Sequence, residues 1–279
     1  MAVAPYASPI ERVWYYGFRV FCGAIFFFLI APILAIVPLS FNAEMFFTYP
    51  MPGLSLRWYE ILFGTEPRSV LWQRAMYNSL VVGISATVLA TGLGTLAALG
   101  LSRASFFGKG TVLALLLSPL VVPIVITAVG VFYFYAKLGL ASTYLGLILS
   151  HTTLGVPFVV ITVLSTLTGF DHNMIRAGQS LGASPVRVFF KVTLPLILPG
   201  VVSGALFAFA TSWDEVVVAL FMASPEQHTI PRRMWSGLRE LLEPTIAAAA
   251  SLLIVLSMIL MGTMEMLRRR SERLRGIRP

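Results

Sequence analysis

LGLASTYLGLILSHTTLGVPFVVITVLSTLTGF, residues 138–170, runs from Leu138 to Phe170 without one acidic or basic side chain. A helix needs about 20 largely apolar residues to cross the hydrocarbon of a bilayer, so this run is a membrane span with residues to spare at both ends. Working outward, the same test succeeds for Val20–Ala43, Ala75–Ser102, Gly110–Ala136, Val192–Trp213 and Pro244–Met264. The six runs predict helices near 18–39, 77–101, 111–135, 144–167, 198–221 and 245–267. The class is therefore an all-α membrane protein with six transmembrane helices. Composition agrees: 57% of the 279 residues are hydrophobic, 11% are charged and mean hydropathy is +0.85, against about 25% charged in a soluble domain. Disorder is excluded by the same figures, because a disordered chain is poor in apolar residues.

Six crossings leave both termini on one side, and the Lys/Arg distribution chooses which. With the termini inside, thirteen basic residues fall in inner segments and seven in outer ones, and the net charges are +9 and +1. The orientation predicted is N-in, C-in. The formal +8 is thus a topology signal and points to no nucleic-acid partner. The tail 268–279 reads as a stop-transfer and lipid-headgroup anchor. The first apolar run is too long for a signal-peptide core and no small-residue cleavage pattern follows it, so the first helix stays in the membrane. This divides the chain into 1–40 (inner segment and first helix), 41–74 (outer loop), 75–267 (five-helix core, with an inner loop at 169–195) and the tail 268–279. Pro32, Pro38, Pro119, Pro123 and Pro157 bend spans or mark their ends. Gly83, Gly92, Gly94 and Gly100 let the second helix pack closely on a neighbour.

Chemistry-bearing motifs are missing. Gly108-Lys109-Gly110 lacks the spacing and hydroxyl of a phosphate-binding loop, and neither H-E-x-x-H nor G-x-S-x-G occurs. The single cysteine, Cys22, and the scattered His151, His172 and His228 match no zinc spacing. No metal site or cofactor is expected in this chain. Proton-coupled carriers place ionisable groups in several spans, whereas here they sit together in the fifth. A transporter of this composition draws its energy from a partner.

The inner loop Asp171-His-Asn-Met-Ile-Arg-Ala-Gly-Gln-Ser-Leu-Gly-Ala-Ser-Pro-Val-Arg-Val-Phe-Phe-Lys191 reads as two short helices around a tight corner. Asp171 caps the first, and Met174, Ala177 and Leu181 form its apolar side. Gly182 ends it in a left-handed turn, and Ser184-Pro185 starts the second. Arg187 and Lys191 then share a face. An amphipathic elbow on the inner side is a docking element.

With Leu194-Pro195 beyond it, the run Arg176-Ala177-Gly178-Gln179-Ser180-Leu181-Gly182 resembles the signature loop of binding-protein-dependent ABC importer permeases, E-A-A-x-x-L-G followed by a short helix and L-P. Pro52-Gly-Leu-Ser-Leu-Arg-Trp-Tyr59, Asn78-Ser79-Leu80 and Ser212-Trp-Asp-Glu215 extend the resemblance to the spermidine/putrescine branch. The resemblance implies a type I ABC importer permease fold in a bacterial inner membrane. Its partners would be a second permease subunit, two ATPase subunits that bind the ATP, and a periplasmic substrate-binding protein. The coupling residues it implies are Arg176, Ala177, Gly178, Leu181 and Gly182, with the small ones permitting close approach to the ATPase. Two positions depart from the family pattern: Arg176 replaces a Glu and Gly178 the second Ala. The charge reversal implies a compensating acidic residue on this chain's own ATPase. The outer segments 41–74 and 222–243, with Arg57, Trp58, Gln227 and Arg232, would meet the binding protein.

A carboxylate in lipid costs several kcal/mol, which makes Asp214 and Glu215 functional candidates. Counted from Leu198, Asp214 lies roughly 24 Å along a helix rising 1.5 Å per residue, in the outer part of the span. Neighbouring positions point about 100° apart, so one faces the pathway while the other meets a neighbouring subunit or Ser212. In the resembled branch this S-x-D-[DE] motif is associated with substrate passage, and carboxylates replace the water lost by a polyammonium ion. A structural pair held by backbone or by Arg232 or Arg233 is the alternative. Trp213, Tyr133 and Tyr135 offer cation–π faces but fit interface anchors better, and His151 fits a packed, hydrogen-bonded histidine. The expected function is the permease subunit of a polyamine importer, with no catalysis of its own. Another small amine, such as γ-aminobutyrate or an opine, and a self-sufficient carrier or membrane enzyme are the alternatives.

Overall fold

The computed structural model describes residues 8–103, 105–171, 173–240 and 243–274. His172 and the end of the basic tail, 275–279, lie outside them. The first helix, α1 (Pro9–Leu39), starts well before its apolar run because Ser8 and Glu11 form a reciprocal capping box ahead of Pro9. None of its residues is buried. After it, Trp58 of α2 (Arg57–Phe63), only 1% exposed, donates its indole N–H to the Asn42 carbonyl at 2.6 Å and pins the outer loop back on itself.

The centre is a three-helix core of α3 (Pro67–Arg103), α6 (Tyr144–Thr168) and α9 (Leu194–Trp213). Its layers are built from small residues. A Cβ on Gly155 of α6 would stand 3.0 Å from Cβ of Ala208 and 3.1 Å from that of Ala90, so all three backbones converge there. Ala90, Ala98, Val159, Val163, Ile197 and Ala208 form the dry seam along the contact. Without a hydrophobic force between helices in lipid, this closeness is what gives dispersion its reach. Of the glycines expected to pack closely, Gly83 faces the Phe209 ring and Gly94 faces Val159, whereas a methyl group on Gly92 or Gly100 would have no neighbour within 4 Å.

Two spans depart from the single continuous helices expected. The third is split into α4 (Lys109–Val121) and α5 (Ile124–Lys137), which meet at 109°. Pro123 sits at the corner, and the residue before a proline is driven out of the helical region: Val122 has φ −71° and ψ 132°. Among the described residues, five helices are therefore long and apolar enough to cross on their own, and the bent pair makes the sixth if it counts as one span.

The fifth span differs at both ends. It begins with α8 (Pro185–Val188), continues through a π-helical turn at Phe189–Thr193 and becomes α9 without a gap. Pro195, which has no N–H to give the carbonyl of Lys191, follows that turn. The outer end stops at Trp213 rather than near 221. Three short outer elements follow: α10 (Val217–Met222), a 3-10 turn at Pro225–Gln227, and α11 (Ile230–Glu240). The chain then returns through α12 (Pro244–Leu274), against which α1 packs. The inner elbow is as the sequence predicts, with α7 (Asn173–Ser180) preceding α8.

Candidate functional site

The interruption of α9 separates the two carboxylates that the sequence places side by side in one helix. Asp214 is its C-cap, with φ −101° and ψ 4°, and is exposed. Glu215, 7% exposed, turns inward, and its Oε1 accepts the backbone N–H of Val218 at 2.8 Å. It thus satisfies one of the donors that the start of α10 leaves free. Neither acid contacts Arg232 or Arg233: Arg232 donates to Ser236, and Arg233 lies over the Trp72 ring. One carboxylate is consumed by the backbone turn and the other is left exposed.

Beneath the break, Ser212 (5% exposed) is 2.7 Å from Nδ1 of His151, which is 1% exposed. This confirms the hydrogen-bonded reading of His151 and adds its partner. Trp213 is no interface anchor. It is 6% exposed, stacks on Phe209 with centroids 5.6 Å apart, and shares a cluster with Trp58, Leu62 and Trp72. The site therefore has a buried aromatic layer below an exposed carboxylate.

The sequence reading missed the role of Asn78. Fully buried in α3, it donates from Nδ2 to the carbonyls of Glu226 (2.9 Å) and His228 (3.0 Å) and accepts from the Tyr144 hydroxyl (2.8 Å). Next to it, Ser79 Oγ accepts the Ile230 N–H at 2.8 Å, and Gln227 donates to the Ser142 carbonyl at 2.8 Å. Together they tie the segment following α10 to the outer ends of α3 and α6. In the same segment, the Ser224 hydroxyl donates to Glu226 and pulls that carboxyl below its usual range. An amide inside an apolar span was the available signal, since a buried polar group in lipid must find partners.

At the inner face, Asp171 accepts the Asn173 N–H at 2.9 Å, Gly182 turns the corner with φ +80°, and Ser184 accepts the Arg187 N–H. Arg176, Ala177, Leu181 and Gly182 are exposed, Leu181 by 88%. Gly178 instead faces inward: a Cβ there would meet Val188 Cγ2 at 3.2 Å, so its smallness closes the elbow onto α8. Val186, next to Arg187, and Phe190, next to Lys191, add exposed apolar surface.

An inner elbow, a long rod leading from it and an interrupted helix at the far end define the architecture of an importer permease. Residues 90–273 match the model of the binding-protein-dependent transport system inner membrane component family, and the chain belongs to that family. It is 34% identical over 252 residues to the spermidine/putrescine transport system permease protein PotC of Haemophilus influenzae, covering 90% of this chain and 96% of that one. It is 35% identical over 236 residues to the putrescine transport system permease protein PotI of Escherichia coli K12, covering 82% of each. Among solved structures it is similar to a bacterial ABC transporter involved in import of the acidic polysaccharide alginate, with TM-score 0.77 and 15% identity over 94% of this chain and 99% of that one. That last likeness concerns the fold alone.

Proposed function

We propose that this chain is a permease subunit of an ATP-driven importer of polyamines in a bacterial inner membrane, with both termini cytoplasmic. The observation that carries the reading is the similarity to PotC along nine tenths of the chain, and the exposed Asp214 supplies chemistry that suits it. A polyammonium ion leaving water needs anionic acceptors, and charge-assisted hydrogen bonds to a carboxylate are the strong kind. Asp214 stands at the outer end of α9 with its carboxylate uncommitted to the turn, while Glu215 keeps the turn in place.

A second permease subunit completes the pathway, and it and lipid cover the apolar sides of α1. Two ATPase subunits receive the elbow, and a periplasmic binding protein delivers substrate to the outer segments. This chain performs no covalent step. The test is uptake of labelled spermidine and putrescine by cells that carry the complete transporter with the wild-type chain, with Asp214→Asn, or with the chain deleted. Loss on deletion and a marked fall for Asp214→Asn are expected. Gradient-driven flux by the chain alone would sink the reading, and preferential uptake of γ-aminobutyrate would move it to another amine.

A further inference from the structure

At the end of the bundle opposite the elbow, α2, α3, α11 and α12 enclose a polar cavity of about 220 Å³. Among the described residues its lining carries two arginines and one carboxylate. Arg233 of α11 reaches it across the face of Trp72, 5.9 Å from the ring centroid, with no carboxylate paired to it among the described residues. Arg68 of α3 makes a long contact with Glu243, 3.5 Å, and keeps 66% of its side chain exposed. Thr245, in the first turn of α12, is 1% exposed, and its hydroxyl has no hydrogen-bond partner. The start of α12 adds the positive end of a long helix.

Two guanidinium groups, a buried hydroxyl and a helix N-terminus, opposed among the described residues by the carboxylate of Glu243, call for a ligand made of acceptors. Guanidinium forks approaching from two helices suit a phosphate, which offers oxygens in several directions at once. Below Arg68 on the same helical face lies Leu71, 45% exposed, and beside it Val70, 48% exposed. An oxyanion in the cavity therefore has apolar surface running away from it along α3. We propose that this cavity is a phosphate-binding site that holds the headgroup phosphodiester of a bilayer phospholipid. The bound headgroup neutralises Arg233 and fixes α11 against α3 and α12.

The test is native mass spectrometry of the full-length chain, purified with its co-purifying subunits and exchanged into vesicles of phosphatidylethanolamine and phosphatidylglycerol. The wild type should retain a phospholipid after mild delipidation, and Arg233→Gln and Arg68→Gln should each weaken retention roughly tenfold, the effect of one charge-assisted hydrogen bond. Thr245→Val, of the same shape, should weaken it less. Arg68 is exposed, so its variant keeps the test readable if Arg233→Gln fails to fold. Displacement of the lipid by millimolar inorganic phosphate identifies a site that also takes the free ion, and resistance to it identifies a lipid-only site; both support a phosphate site. Equal retention by wild type, Arg68→Gln and Arg233→Gln overturns the proposal. So does unchanged retention with weakened docking of the periplasmic binding protein, which would assign the cavity to a protein carboxylate.

Discussion

Nδ1 of His151 and Oγ of Ser212, on the neighbouring helices α6 and α9, lie 2.7 Å apart in a buried layer directly beneath the Asp214 break. A serine in a helix ordinarily turns its hydroxyl back to the carbonyl one turn earlier, and here a second helix takes it instead. His151→Leu should destabilise the protein by about 1–3 kcal/mol, the cost of an unsatisfied buried group. His151→Asn, which can still accept or donate, should recover part of that loss in a thermal unfolding scan.

The two adjacent acids should separate cleanly in experiment. Glu215→Ala removes the acceptor at the start of α10 and should cost about 0.5–2 kcal/mol, as loss of a helix cap does. Glu215→Gln keeps an oxygen in place and should cost less. Asp214→Asn should leave the melting temperature within error while lowering cation uptake. A large thermal shift for Asp214→Asn would show that its carboxylate is structural.

Asn78 predicts an effect far from its own helix. Asn78→Ala removes one donor from each of the carbonyls of Glu226 and His228. Amide hydrogen exchange across 224–230 should then rise, with a stability loss of about 1–3 kcal/mol. Asn78→Asp should behave no better, because a carboxylate cannot donate to two carbonyls.

Glycine substitutions should sort by neighbour. A Cβ at Gly204 of α9 would come within 2.8 Å of the Val159 Cα, a backbone atom that cannot move aside. Gly204→Ala should therefore cost about 1–3 kcal/mol through overpacking. Gly92→Ala, with nothing within 4 Å, should be tolerated. The comparison needs only melting temperatures of the two variants in one detergent.

What the sequence revealed depended on how far apart the deciding residues lie. The elbow was legible because Asp171, Gly182 and Ser184-Pro185 act on groups two or three residues away. The apolar runs showed where membrane helices exist but not how far they extend. Charge gaps ignored the Ser8–Glu11 capping box, so α1 starts earlier than its apolar run implied. Pro123 announced a bend, but whether a proline kinks a span or folds it back depends on what packs around it, and α4 and α5 meet at 109°. The end of α9 at Trp213 was hidden because Asp214 and Glu215 stand in an otherwise apolar stretch that reads as continuous helix. Asn78 looked like part of a motif, and its partners lie 66, 148 and 150 residues away.

Arg176 tests the inner surface. It is exposed on α7 beside exposed Ala177, with Arg187 and Lys191 on the other arm of the elbow. If the ATPase groove carries a compensating acid, Arg176→Glu should weaken co-purification of the ATPase and uncouple hydrolysis from uptake, and raised salt should weaken the wild-type association. Unchanged co-purification and coupling would disprove the compensating charge.

The unbroken run from Pro185 to Trp213 gives the elbow mechanical reach. Its 29 residues span about 43 Å at 1.5 Å per residue, with the corner of the elbow at one end and Asp214 at the other. A tilt of roughly 5° at the inner end swings the outer end by about 4 Å, more than the width of a carboxylate–ammonium contact. Nothing needs to be relayed from side chain to side chain across the membrane, because leverage alone can move Asp214.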